Sequence, residues 1–316
     1  MKALLRERGK LTVRDVSKPL PLDDEALVKV IKAGICSTDL ELAKGYMEFE
    51  GILGHEFVGR VVKTRESTWA GKRVVGSINL TCGKCPFCLE GMEKHCQSRK
   101  VLGISGKHGA FAEFLTLPLA NLYPLPSNIS DSTAVFIEPL AASLEIFEQV
   151  KIEQNDSVLV LGDGKLGLLI AQVMKLKTNN VSCLGKYERK LEILKEKGIK
   201  TYSSRRETGG MFDVLVEATG NERGLQEALS WIKPKGKIVL KSTFKGFARV
   251  DISKIVVDEI QLIGSRCGPF QKAIDVLSKE LIEVDRMIDG DFPLEKAQEA
   301  LVMAQKPGIM KILISP

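Results

Sequence analysis

Residues 158–167 read Val-Leu-Val-Leu-Gly-Asp-Gly-Lys-Leu-Gly. The apolar run 158–161 breaks into Gly162-x-Gly164-x-x-Gly167 and resumes as Leu168, Leu169, Ile170, Ala171 and Val173, which is the order of a buried strand, a tight turn and a helix. That order suits a dinucleotide. Gly162 lets the chain turn sharply, Gly164 removes the side chain that would block a pyrophosphate, and Gly167 lets the helix pack close to the strand. Lys165 and Leu166 open the helix, whose first backbone N–H groups face the phosphates. A strand–helix turn that binds nothing is the alternative, and the strand before and helix after weigh against it.

Working outward, strands at 158–161, 180–184, 199–203, 213–217, 236–241 and 260–263 alternate with helices at 166–177, 188–197 and 222–232. This predicts a parallel sheet with crossover helices. Upstream, residues 1–35 alternate apolar with polar positions and predict antiparallel strands, and further short strands are expected at 72–78 and 109–117. A capped helix start at Ser130-Asp131-Ser132 leads into a helix to about Val150, with a break or kink expected at Glu138 because Pro139 follows it. The tail predicts helices near 269–281 and 293–300 and a last strand at 310–314.

Composition sets the class. The 316 residues suggest two domains, and 44% hydrophobic residues suffice for substantial cores. No apolar run approaches the roughly eighteen residues of a membrane span, and Met1-Lys2-Ala3-Leu4-Leu5 is too short for the apolar part of a signal peptide, so a cytoplasmic protein with no membrane partner is expected. The net charge of +6 is dispersed among 40 acids, which makes nucleic acid a poor partner.

Four of the seven cysteines, Cys82, Cys85, Cys88 and Cys96, fall within fifteen residues. Four thiolates on one short loop suit a tetrahedral zinc with no open position, a structural site. An iron–sulfur cluster uses a similar spacing, but a proline normally follows its last cysteine, and here Gln97 does. A second, dispersed set comprises Cys36, His55, Glu56 and Glu138; a thiolate, an imidazole and a carboxylate are what catalytic zinc uses while keeping a position for substrate. From spacing alone an isolated Cys36 is more often a small buried hydrophobe, and an isolated His55 more often a satisfied core residue. Asp39 is an expected acceptor for the ring N–H of His55.

Taken together, Gly-Ile-Cys-Ser-Thr-Asp (34–39), Gly-His-Glu-Phe-Val-Gly (54–59), the four-cysteine lobe, Glu-Pro-Leu (138–140), the glycine turn and Glu-Ala-Thr-Gly (217–220) resemble the zinc-containing medium-chain alcohol dehydrogenases, in order and over essentially the whole chain. The resemblance implies an α/β architecture, with a GroES-like β-rich catalytic domain at 1–139 and 266–316 around a Rossmann domain at 140–265. It implies Cys36 and His55 as catalytic-zinc ligands, with Glu56 or Glu138 as the third. Glu138 stands where the polyol and sugar dehydrogenases carry a glutamate, which points to that branch. Thr38 matches the hydroxyl that receives the substrate proton, Thr219 falls in a cofactor-binding segment, and a homodimer or homotetramer acting on a small alcohol or carbonyl compound is implied.

Two departures stand out. Glu41 replaces the histidine that often passes the proton to solvent, and the chain is shorter than usual members. A degenerate member with a structural zinc and no dehydrogenase activity is therefore the alternative reading. A zinc-free quinone or enoyl reductase is disfavoured by the intact Cys36, His55, Glu56 and Glu138. For the cofactor, Gly185 stands where NAD enzymes place an acid on the ribose, and Lys186 and Arg189 follow it, so NADP is favoured over NAD; the alternatives are a solvated helix start with Glu188 on the ribose, and dual specificity.

Overall fold

Among the described residues, the glycine turn follows the strand at which the order of a six-stranded parallel sheet reverses. The structure, a computed structural model, describes residues 1–244 and 246–316, and the chain divides into two compact units. One comprises residues 139–273 and 280–287; the other comprises 1–138, 274–279 and 288–316.

In the first unit the strands lie in the order Lys200–Tyr202, Val181–Leu184, Val158–Leu161, Phe212–Glu217, Ile232–Leu240 and Gln261–Gly264. All neighbours run parallel. This is the doubly wound 3-2-1-4-5-6 order, with the switch point between Val158–Leu161 and Phe212–Glu217, where ligands bind at the carboxyl ends of the strands. The first strand is buried along its whole length, as a central parallel strand must be. Leu159, Leu161, Leu215, Leu229, Ile232 and Ile238 form one apolar cluster, each burying a side chain for about 1.5–3 kcal/mol.

The second unit is β-rich. Among the described residues, a seven-stranded sheet runs Leu122–Pro124, Arg73–Gly76, Glu56–Lys63, Glu25–Gly34, Lys311–Ser315, Ile288–Pro293, with Phe114–Pro118 also paired to Glu25–Gly34. Lys311–Ser315 pairs antiparallel with Glu25–Gly34, so both ends of the chain build one sheet. The antiparallel strands expected in residues 1–35 include Lys2–Glu7 paired with Lys10–Asp15. The four-cysteine lobe adds a small sheet of Asn79–Leu80, Lys100–Leu102 and Gly106–Lys107 and a short helix, Pro86–Leu89.

Local differences from the sequence reading have simple causes. The helix expected from Ser130 to Val150 is two, Asp131–Ala134 and Ile137–Gln149, and the break falls before Ile137 rather than at Glu138. Pro139 then lies in a first turn, where its missing N–H costs nothing. Ile288–Pro293 was not anticipated as a strand, because Asp289, Gly290 and Asp291 interrupt the alternation. Among the described residues no helix is long and apolar enough to cross a membrane.

Candidate functional site

Cys36 leaves the strand Glu25–Gly34 in an extended conformation and caps the short helix Ser37–Ala43. Asp39, three residues on and fully buried, accepts the Cys36 N–H at 2.8 Å and the Gly54 N–H at 3.1 Å. One carboxylate therefore ties the cysteine turn to the loop carrying His55. His55 and Glu56, 3% and 1% exposed, enter the strand Glu56–Lys63. One ligand atom from each of Cys36, His55 and Glu56 lies within 4.8 Å of the others.

Two of the expected contacts take a modified form. His55 Nδ1 lies 3.2 Å from Asp39 Oδ1, yet the approach is too bent for a hydrogen bond and this buried nitrogen is left without one. With Nδ1 turned to Asp39, Nε2 is the nitrogen available to a cation. Burial opposes a charge on His55, but the Asp39 carboxylate and the Cys36 sulfur more than offset it, holding its pKa well above the ordinary histidine value. Any cation taken up must displace that proton. Glu138, half-buried in the first turn of Ile137–Gln149, does not join the three-residue cluster.

Lys311 was not anticipated. It is fully buried at the start of the last strand and ion-pairs with Glu56 Oε2, with its ammonium 5.2 Å from the centre of the Phe136 ring. The available signal was one lysine interrupting the apolar run Met310–Ile314. The Thr38 hydroxyl lies 3.8 Å from Cys36 Sγ. Glu41 is exposed and pairs with Lys44 at 2.8 Å.

The four lobe cysteines also converge, all four sulfurs lying within 4.8 Å of one another. Sγ separations are 3.5 Å for Cys85–Cys88 and 3.6 Å for Cys82–Cys96. A tetrahedron with Zn–S bonds of about 2.3 Å has edges of roughly 3.8 Å, so the set fits a zinc ion with little adjustment. Backbone amides of Gln97 and Cys88 pull the Cys85 thiol down to about 6. Burial and the neighbouring sulfurs push Cys88 up to about 12. A cation here would neutralise the crowded thiolates.

In the parallel-sheet unit, the helix Lys165–Lys175 begins at Gly164 with no side-chain cap. A Cβ on Gly164 would point into open space, whereas one on Gly167 would stand 2.0 Å from the Gly162 carbonyl oxygen. The first leaves room for a pyrophosphate, and the second is the close strand–helix approach only glycine allows. Lys165 and Leu166 form the first helical turn. Gly185 follows the strand Val181–Leu184, and Lys186 and Arg189 are exposed beyond it. The Thr219 N–H and hydroxyl both donate to Glu217 Oε1, at 2.8 and 2.5 Å, and Ser242 donates to the same oxygen at 3.0 Å. Gly185 itself carries no acid, yet a carboxylate stands at its corner: Asp163, the middle residue of the Gly-Asp-Gly turn, accepts the N–H groups of Lys186 and Tyr187, both at 2.7 Å.

A mixed thiolate, imidazole and carboxylate cluster in one unit and a phosphate-ready parallel sheet in the other define the class of metal-assisted, dinucleotide-using oxidoreductases. Residues 22–127 match the alcohol dehydrogenase GroES-like domain, and residues 132–313 match the glucose dehydrogenase C-terminus. D-arabinitol dehydrogenase 1 of Uromyces fabae is 28% identical, the match covering 100% of this chain and 97% of that protein. A protein described as a zinc-binding dehydrogenase, from Sinorhizobium meliloti 1021 and bound to NADP, superposes with a TM-score of 0.92 at 28% identity, covering 100% of this chain and 99% of that one. The alcohol dehydrogenase rspB from E. coli CFT073, solved with NADH, gives 0.92 at 29% identity with the same coverage of 100% and 99%. The chain belongs to the zinc-containing medium-chain alcohol dehydrogenases, in their polyol dehydrogenase branch.

Proposed function

We propose that the protein oxidises a small alcohol, polyol or sugar, or reduces the matching carbonyl compound, with a nicotinamide dinucleotide and a catalytic zinc. The observation that carries this reading is the convergence of Cys36, His55 and Glu56 within 4.8 Å, with the Thr38 hydroxyl 3.8 Å from the Cys36 sulfur. The chemistry supplied by the bound metal and nicotinamide is Lewis-acid activation of an alcohol and acceptance of a hydride. Cys36 and His55 hold the ion. Glu56 or Glu138 completes the set, and Lys311, paired with Glu56, orients that carboxylate. Asp39 fixes the Cys36 turn and faces the His55 ring. Thr38 receives the substrate proton, and since Glu41 is turned to Lys44, the proton leaves through solvent.

Cys82, Cys85, Cys88 and Cys96 hold a second, structural zinc. Gly162, Gly164, Lys165, Leu166, Gly167 and Thr219 border the dinucleotide, in a Rossmann domain of 140–265 inserted in a catalytic domain of 1–139 and 266–316, although the compact unit around the parallel sheet also takes in 266–273 and 280–287. On side-chain charge alone Lys186 and Arg189 beside Gly185 favour NADP, and the carboxylate of Asp163 at the same corner opposes a 2′-phosphate. Family membership supports a homodimer or homotetramer in the cytoplasm.

The test is metal content and turnover on one preparation. Two zinc ions per chain and turnover with a panel of polyols, sugars and simple alcohols are expected, with Cys36→Ser and His55→Ala each dropping to one zinc and losing turnover. One zinc in the unaltered protein and no turnover with either nucleotide would establish the degenerate alternative.

A further inference from the structure

In this sheet order the residue ending the second strand, about twenty past the first glycine, carries the acid that accepts the adenosine ribose hydroxyl. Here that residue is Gly185, which has no side chain to offer. Its space is nevertheless filled. A Cβ built on Gly185 would lie 2.5 Å from Asp163 Cβ and 2.8 Å from Asp163 Cγ. The side chain of Asp163 thus occupies the place from which a side chain at 185 would start, having crossed from the end of the neighbouring strand. The register allows the crossing: Leu161 and Leu184 are paired, and the Gly162 N–H donates to the Leu184 carbonyl at 2.9 Å, so the two strand ends lie side by side.

Asp163 is only 8% exposed and rigidly held, since one carboxylate oxygen accepts both the Lys186 and Tyr187 N–H groups at 2.7 Å. Two consecutive amides at the end of this strand would otherwise form a ready cradle for a phosphate. In this chain an internal carboxylate uses them. The nearby cations do not reverse the balance. Lys186 is exposed, and its long side chain must be ordered before it can hold an anion. Lys190 is buried, lies 4.7 Å from the centre of the Tyr187 ring, and already feels the Asp163 charge.

We infer that Asp163, supplied by the glycine turn rather than by the second strand, is the residue that reads the adenosine ribose, and that it selects NAD over NADP. The inference rests on the proposed nicotinamide-dependent activity, and it reverses the preference drawn from Gly185, Lys186 and Arg189. A ribose hydroxyl donates to a fixed carboxylate, whereas a 2′-phosphate meets that carboxylate with its amide cradle already filled.

The experiment is a binding titration of NADH and NADPH, read by nucleotide fluorescence, on the full-length protein, Asp163→Gly, Asp163→Asn and the double variant Asp163→Gly/Gly185→Asp. Thermal unfolding is followed on each, so that loss of binding is not mistaken for loss of fold. Glycine rather than alanine is needed at 163 in the double variant, because a Cβ there would collide with the new one at 185; the other close atom, Leu191 Cδ2 at 2.8 Å, ends a side chain that must shift slightly. The unaltered protein should bind NADH at least tenfold tighter than NADPH, the size of a hydrogen bond to a charged group. Asp163→Gly should erase that ratio. Asp163→Asn, which keeps an oxygen for the two amides and drops the charge, should shift it the same way. The double variant, with the carboxylate moved to 185, should restore it. Equal or tighter NADPH binding by the unaltered protein, or a ratio unmoved in both single variants, overturns the assignment of Asp163. Failure of the unaltered protein to bind either nucleotide overturns the nicotinamide reading, and the assignment falls with it.

Discussion

At the scale of single residues, two ion pairs give measurable consequences of opposite character. Lys311 and Glu56 are both fully buried, so removing one partner strands the other charge in the sheet. Lys311→Met should therefore lower the free energy of unfolding of the metal-free protein by about 3–5 kcal/mol, read from denaturant curves at neutral pH. A cost under about 1 kcal/mol would mean that Glu56 finds another partner or protonates. Asp213 is half-exposed and contributes through pH. Partial burial raises its pKa, but the Lys233 ammonium and the Ser157 hydroxyl and amide outweigh that and pull it down to about 2 from 3.8. A carboxylate with a depressed folded pKa adds stability that is complete above the unfolded value and is lost as pH falls through the folded one. Stability should thus decline between about pH 4 and pH 2, and Asp213→Asn should flatten that part of the profile. An unchanged slope in the variant would remove Asp213 from the account.

At the scale of elements, the four-cysteine lobe is held by little except its sulfurs. Its two strands of two residues and one of three, with a four-residue helix, bury too little apolar surface to order the segment alone. Metal binding there is folding free energy. Cys88→Ser should halve the zinc content, expose the segment 82–96 to proteolysis and lower the melting temperature, while the catalytic zinc remains. Retention of both ions and protease resistance would show that the lobe folds without its metal. The lobe was legible in the sequence because all four ligands fall within fifteen residues. The strand Ile288–Pro293 was not, because its place depends on parallel pairing with Lys311–Ser315 and not on its own alternation.

At the scale of the whole molecule, a cofactor that binds the folded chain alone must stabilise it by mass action. The tighter-binding nucleotide, added at a hundred times its Kd, should contribute about 2.7 kcal/mol and raise the unfolding temperature by several degrees. No shift with either nucleotide would contradict the proposed use of a dinucleotide. The sequence by itself determined the parallel sheet, the glycine turn and the four-cysteine lobe, because each is written in contiguous residues whose period or spacing is set by local geometry. It also pointed to Cys36, His55 and Glu56, through short motifs on either side of two strands. Only the tertiary structure decided that Lys311 lies against Glu56, which is 255 residues away in the chain, and that Asp163 fills the space beside Gly185. Both depend on which strands become neighbours and in what register. Pairing at long range is chosen by the burial of the whole sheet, and no local pattern along the chain records which side chain will meet which.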